Sequence, residues 1–272
     1  MLRDMVIGQY VPGKSPLHRM NAPLKMILMI AYIAVLLVIK SAAAYALFTV
    51  CTAALIMISG VSVGMILKGI KPILYIVIFT ALLNIFMTPG EAMWSASVFG
   101  LTLRITKEGV TAGALLTVRL IYLVAGTSLL TLTTPPLQLT DGIERLLRPL
   151  NKIKVPSHEI AMMMTIAIRF IPTFSEEADK IKKAQTARGA DFESGGLIKR
   201  ARAMTPLLVP LFISAFRRAD ELAEAMEARC YRGGGNRTKM KERHITAFDI
   251  KAAVIFVLAA VLILLVEFWI EI

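Results

Sequence analysis

Ala184-Gln185-Thr186-Ala187-Arg188-Gly189 and Ala225-Met226-Glu227-Ala228-Arg229-Cys230 close two long basic segments inside Ser157–Tyr231. Each segment is built on the same plan. Ser157 to Arg188 is 32 residues, about 48 Å if wholly helical. Its first half is apolar (Ile160, Met163, Met164, Ala167, Ile168, Ile171) and its second half is charged (Glu176, Glu177, Asp179, Lys180, Lys182, Lys183). Ser157 is the expected N-cap, with Glu159 in the first turn, and Pro172 is expected to bend the helix. The apolar half is short for a membrane span and holds Arg169, which suits a helix at the membrane interface or beneath other helices. Asp191–Gly196 reads as a turn in which Ser194 caps the next helix. Leu197 to Arg229 then repeats the plan, with bends expected at Pro206 and Pro210, an apolar middle at Leu207–Phe216 and a charged end from Arg217 to Glu224.

Outside this stretch the chain is greasy. Of 272 residues 56% are apolar, above the ~45–50% of a soluble domain, and several runs approach the ~20 residues needed to cross a bilayer. Five spans are predicted, at Leu24–Ile39, Ala42–Ser59, Pro72–Met87, Glu108–Leu132 and Phe248–Trp269. A polar lead, Met1–Lys25, precedes them and lacks the basic-then-apolar start of a cleaved signal peptide. Its His18 has no ligand-forming neighbour and reads as a surface histidine. Lys68 and Lys71 lie in a short connection between the second and third spans. Thr88–Lys107 reads as a longer loop with Trp94 as a headgroup-level anchor. Thr140–Leu147 reads as a short amphipathic helix capped by Thr140. Tyr231–Arg243 reads as a glycine-rich basic loop.

The fold class is therefore an all-α membrane protein of about five spans with a cytoplasmic domain of one short and two long amphipathic helices. The divisions fall at 1–134, 135–246 and 247–272. The formal net charge of +12 reports topology first, because Lys and Arg collect on the cytoplasmic side. It puts the N-terminus and the block from Pro135 to Thr246 in the cytoplasm and the C-terminus outside, with Arg104 and Lys107 as the two exceptions. Nucleic acid is a poor partner, since no aromatic-rich basic platform accompanies the charge. Cys51 and Cys230 are too far apart in this topology to form a disulfide. Arg119, near the middle of the fourth span, either faces the bundle interior or a partner, or snorkels and pairs locally.

No catalytic signature is present. There is no phosphate-binding loop, no cysteine–histidine cluster with zinc spacing, and no carboxylate pair that is not already part of a charged helix face. No metal ligand set and no cofactor are expected in this chain.

The two endings remain. An arginine in a last turn followed by glycine is ordinary helix punctuation. Its occurrence twice, with alanines at matching offsets, points to two equivalent contacts. Small alanines admit a close neighbour, and arginine offers a planar, permanently charged fork to a carboxylate. Such a joint suits a membrane subunit pushed by two soluble ones.

On these residues the chain resembles the transmembrane T component of energy-coupling factor transporters, prokaryotic importers of vitamins and metal ions. The likeness begins at Ser15-Pro16-Leu17-His18-Arg19-Met20-Asn21-Ala22-Pro23-Leu24-Lys25. It passes through Arg148-Pro149-Leu150 and Arg169-Phe170-Ile171-Pro172, and is most specific at the two endings with Arg217-Arg218-Ala219-Asp220. The resemblance implies that the two long amphipathic helices are crossed, and that Ala184, Arg188 and Gly189 dock into one ATPase subunit and Ala225, Arg229 and Cys230 into another. It implies that ATP and Mg are bound by those partners. It also implies that Met163, Met164, Ala167, Ile171, Leu208, Leu211 and Phe212 face a small substrate-binding membrane subunit in a prokaryotic cell membrane. Where the family carries glycine, this chain carries Cys230, for which an ordinary backbone conformation or a cap displaced toward Gly233 is expected. Two rival readings are a self-contained permease or channel lined by Arg119, and a membrane scaffold whose basic block binds anionic lipid.

Overall fold

The structure is a computed structural model and describes residues 10–98, 101–192, 194, 196–233 and 245–271; the side chains of 92–105, 197 and 271 lie outside the description. The described residues are helical with one β-hairpin. Its helices are α1 (Pro16–Arg19), α2 (Ala22–Val38), α3 (Ala42–Ser59), α4 (Val63–Ile70), α5 (Leu74–Met87), α6 (Lys107–Thr133), α7 (Pro136–Leu147), α8 (Ser157–Ala187), α9 (Leu197–Ala203), α10 (Thr205–Ala228) and α11 (Ala247–Glu271). A 3-10 turn, Arg148–Ile153, links α7 to α8. The backbone divides into two compact units, one of Gly8–Gly142 with Arg243–Ile272, the other containing Ile143–Glu242.

In the first unit, α3, α6 and α11 are long and apolar enough to cross a membrane, and α4 with α5, bent by 59°, makes a fourth such stretch; α2 is a shorter apolar helix. The expected connection at Lys68 and Lys71 is thus mostly helix. Ile66, on the apolar side of α4, is buried with Val61, Ala125, Leu129 and Leu132, and this burial makes the segment helical where its lysines suggested a loop. The expected loop at 88–107 also takes regular form. Ala92–Val98 (β1) and Leu101–Thr106 (β2) pair antiparallel. Thr106 then caps α6, its hydroxyl accepting from the Gly109 amide at 3.1 Å and donating to the Thr88 carbonyl at 2.8 Å. The anchoring role expected of Trp94 concerns a side chain outside the described residues, as does most of Tyr231–Arg243.

The core of this unit joins Tyr32 and Leu36 of α2 and Ile39 at its end to Ala44, Tyr45 and Phe48 of α3 and Ile263 of α11. Polar contacts set its register. The buried Lys25 ammonium donates to the Thr133 carbonyl at 3.0 Å and to the Thr134 hydroxyl at 3.1 Å. Arg119 Nη2 donates to the Ile39 carbonyl at 3.0 Å, and its Nε to the Tyr45 hydroxyl at 3.3 Å. Lys25 to Ile39 on one strand of contacts, and Thr133 to Arg119 on the other, are equal separations in opposite order, so α2 and α6 run antiparallel. Asp249 accepts from the Asn21 amide at 3.0 Å, and Glu267 accepts from the Lys40 amide at 2.8 Å and the Ser41 hydroxyl at 2.7 Å. These contacts follow the same order along both segments, so α2 and α11 run parallel and share both ends.

His18 is more than a surface residue. Its Nε2 donates to the Val11 carbonyl at 2.9 Å, which leaves Nδ1 to accept from the Ser15 hydroxyl at 2.6 Å. The imidazole thereby folds the polar lead back on itself. Thr140 is no cap. Pro136 stands at the start of α7, where its missing N–H costs nothing, and Thr140 lies buried inside that helix with its hydroxyl donating to the Leu137 carbonyl at 2.8 Å.

The second unit is carried by α8 and α10, packed on each other. Arg218 pairs with Glu177 at 3.3 Å and lies over the Phe174 ring at 5.9 Å from its centroid. Glu144 and His158 meet at 3.1 Å. Two further caps differ from expectation. Ser157 is the first residue of α8 rather than its cap, and its amide donates to the Asn151 side chain at 3.4 Å. Ser194 bonds to Asp191 within the turn, while Gly196 stands at the start of α9. Helix α8 runs through Pro172, whereas the second segment is broken at Met204 into α9 and α10. Pro206 falls in the first turn of α10, where its missing N–H costs nothing, while α10 runs on through Pro210 as α8 does through Pro172.

Candidate functional site: two matched helix endings

The two endings are the same structure. In the first, Arg188 has φ −88° and ψ 8°, and Gly189 follows at φ +87°. The Gly189 amide donates to the Thr186 carbonyl at 3.0 Å and the Ala190 amide to the Gln185 carbonyl at 2.9 Å. In the second, Arg229 has φ −92° and ψ 15°, and Cys230 follows at φ +58°. There the Cys230 amide donates to the Glu227 carbonyl at 2.8 Å and the Tyr231 amide to the Met226 carbonyl at 3.0 Å. Both are Schellman caps, with paired bonds that close the last turn around one left-handed residue. The expectation for Cys230 is therefore overturned. It takes the left-handed conformation itself, and although Gly233 is also left-handed at φ +85°, the closing bonds lie at Cys230.

What this cap does to the arginine is the useful part. The chain reverses immediately after it, so the side chain stands at the tip of the helix. Arg188 and Arg229 are both exposed, as are Ala184, Gly189, Ala225 and Cys230. Among the described residues neither arginine has an ion-pair partner. Two guanidinium groups are thus presented in the same local geometry, each beside an alanine one turn earlier.

Above the endings, the two long helices carry apolar rows that their own packing leaves uncovered. Met163, Ala167 and Ile171 form one exposed row at four-residue spacing on α8. On α10 the exposed residues are Leu208, Val209, Phe212, Ile213 and Phe216, of which Phe216 is 69% exposed. Met164 and Leu211, expected in the same surface, are half-buried. Val209, Ile213 and Phe216, within the expected apolar middle Leu207–Phe216 but not singled out in it, complete a helical stripe with Leu208 and Phe212.

Arg119 belongs to a different place. Its two bonds, to the Ile39 carbonyl and the Tyr45 hydroxyl, reach partners 80 and 74 residues away in sequence, both within the first unit.

Comparison with known proteins is extensive. The family model described as cobalt transport protein, CbiQ, matches residues 13–240. A Ruminiclostridium cellulolyticum protein described as energy-coupling factor transporter transmembrane protein EcfT is 52% identical over 268 residues, covering 98% of this chain and 99% of its own length. The proteins of the same description from Clostridium kluyveri and Bacillus subtilis are 50% identical over 273 residues and 45% identical over 267 residues. They cover 99% and 97% of this chain, and each is covered over 99% of its length.

Proposed function

Because the chain belongs to the EcfT family, the transmembrane components of energy-coupling factor transporters, we propose that it transmits ATP-driven movement from two ATPase subunits to a substrate-binding membrane subunit. The single observation that carries this reading is the identity of the two helix endings. One arginine-tipped cap could be punctuation; two with the same dihedral angles and the same closing bonds suit two like partners. Arg188 with Ala184 and Gly189 enters a groove on one ATPase, and Arg229 with Ala225 and Cys230 enters a groove on the other.

ATP and Mg are held by those ATPases, and this chain has a mechanical role. The guanidinium forks meet carboxylates in the grooves, where a buried ion pair holds position because separating it leaves a charge unpaired. When the ATPases close, the tips of α8 and α10 move with them. The helices turn against each other about the contact that Arg218, Glu177 and Phe174 make. The apolar rows of Met163, Ala167 and Ile171 and of Leu208 and Phe212 then carry the substrate-binding subunit with them. Met164 and Leu211, set deeper, back those rows and repack as the angle changes. Substrate, a vitamin or other micronutrient, is bound by that other subunit.

Residues 135–246 form the cytoplasmic coupling domain in this reading, between spans at 1–134 and 247–272. The N-terminus is cytoplasmic and the C-terminus extracytoplasmic. The parallel course of α2 and α11 supports the termini lying on opposite faces, since five alternating spans put the first and last in the same direction.

Co-purification with the two ATPases tests the proposal. Arg188→Glu, Arg229→Glu and their combination are expected to lose ATPase subunits and ATP-driven uptake, while Arg202→Glu, an exposed basic control on α9, retains both. Equal retention in all four would overturn the coupling joint and favour a permease that works alone.

A further inference from the structure

A half-open cavity of about 560 Å³ lies within the first unit, among α1, α2, α3, α6 and α11. Its walls are almost wholly apolar. The few polar side chains they include are already engaged. The Tyr32 hydroxyl donates to the Tyr122 carbonyl at 3.1 Å, Thr133 donates to the Leu129 carbonyl at 2.7 Å, and the Lys25 ammonium is held by Thr133 and Thr134. The rim differs. Lys251, in the first turns of α11, is exposed and lines the cavity, and its ammonium has no partner among the described residues. From Lys251 the cavity follows α11 as far as Ile263, twelve residues or about 18 Å of helix. One leaflet of a bilayer has about that depth, since the hydrocarbon core is ~30 Å thick.

We propose that this groove binds one acyl chain of an anionic phospholipid, with the headgroup phosphate on Lys251, from the leaflet at the N-terminal end of α11. Three features select this occupant. The groove is about a leaflet deep along α11, lined from Lys251 to the buried Ile263. Its wall asks for no hydrogen bond. Its one unengaged charge is positive and stands at the end where a headgroup would lie, as charge complementarity to a phosphate requires. The site is independent of the coupling joint, since every residue in it belongs to the first unit.

Native mass spectrometry of the full chain after detergent exchange, titrated with phosphatidylglycerol or phosphatidylcholine, tests this. The wild type is expected to retain one phosphatidylglycerol and to release phosphatidylcholine. Lys251→Gln should weaken phosphatidylglycerol about fivefold, the equivalent of the ~1 kcal/mol a basic residue contributes near a lipid surface, and leave phosphatidylcholine unchanged. Ala259→Phe, which fills the groove, should abolish retention of phosphatidylglycerol, with circular dichroism and melting temperature checking its fold. Equal retention of the two lipids in the wild type, or no effect of Lys251→Gln, would overturn the proposal. So would loss of the lipid on adding the substrate-binding subunit together with a cross-link to it from Ala259→Cys, which would assign the groove to a protein helix.

Discussion

At Cys230 a side chain occupies a backbone conformation, φ +58°, in which its Cβ crowds the neighbouring carbonyl. Gly189 meets the same geometry without that cost. Exchange at the two positions should therefore act in opposite directions. Cys230→Gly is expected to stabilise the chain by about 1 kcal/mol, and Gly189→Ala to destabilise it by about the same. Thermal unfolding of the detergent-solubilised chain reads both, and a lower melting temperature for Cys230→Gly would refute the strain argument. Neither change touches a guanidinium. The ATPase co-purification of Cys230→Gly should stay at the wild-type level. A lesson about legibility follows from the same residue. Cysteine disfavours this conformation locally, and a displaced cap was the reasonable expectation from sequence. The closing bonds of the last turn and the reversal of the chain prevail over the local preference, as tertiary demands often do over propensity.

Among the elements, the α5–α6 hairpin and the α8–α10 pair respond differently to substitution. Gly109 on α6 faces the backbone of α5 so closely that an added Cβ would meet the carbonyl oxygens of Asn84 and Ile85 at 2.8 and 2.9 Å. Backbone cannot swing aside as a side chain can. Gly109→Ala is expected to cost about 1–3 kcal/mol by overpacking, seen as a lowered melting temperature with no change in α8 and α10. The Arg218–Glu177 pair is more than a third exposed on its arginine side, and solvent screens it. Glu177→Gln should therefore cost less than about 1 kcal/mol. If the pair is the pivot of the coupling movement, the loss should appear in uptake per ATP hydrolysed rather than in melting temperature. An unchanged uptake ratio would remove it from the mechanism. The long helices and their endings were legible because periodicity and a repeated motif are sequence properties. The hairpin at 92–106 and the helix α4 were not. Helix α4 depends on burial against α6, distant in sequence, while Lys68 and Lys71 read locally as a loop. The hairpin pairs adjacent segments, and Pro89-Gly90 with the charges at Arg104 and Lys107 read as a loop there.

For the molecule as a whole, the buried charges were the main omission. Lys25, Asp249 and Glu267 each sit at the end of an apolar run, where a charge reads as a boundary marker. In the structure all three are buried, binding helix ends that lack intrahelical partners. One signal was available: Thr246 followed three residues later by Asp249 is a capping pattern, and Asp249 does accept from the Thr246 amide at 2.9 Å. What the pattern could not convey is that the same carboxylate also takes the Asn21 amide. The membrane topology offers a global test. Single cysteines placed at Ser15 and Ile245 should label from the cytoplasmic face with an impermeant thiol reagent in a cysteine-free background, whereas one placed at Glu91 should label from outside. Labelling of Ser15 and Ile245 from opposite faces would contradict the parallel course of α2 and α11.

That parallel course also bears on how the chain is made. Amides near both ends of the first hydrophobic helix, at Asn21 and at Lys40 and Ser41, find their acceptors on α11, which the ribosome delivers more than two hundred residues later. Until then those amides lie at the membrane with nothing but water or headgroups to bind. A chain interrupted before Asp249 keeps its first four hydrophobic stretches and lacks the carboxylates that complete them. Such a product should therefore be less stable in the membrane than the full chain, and the last helix made is the one that fastens the first.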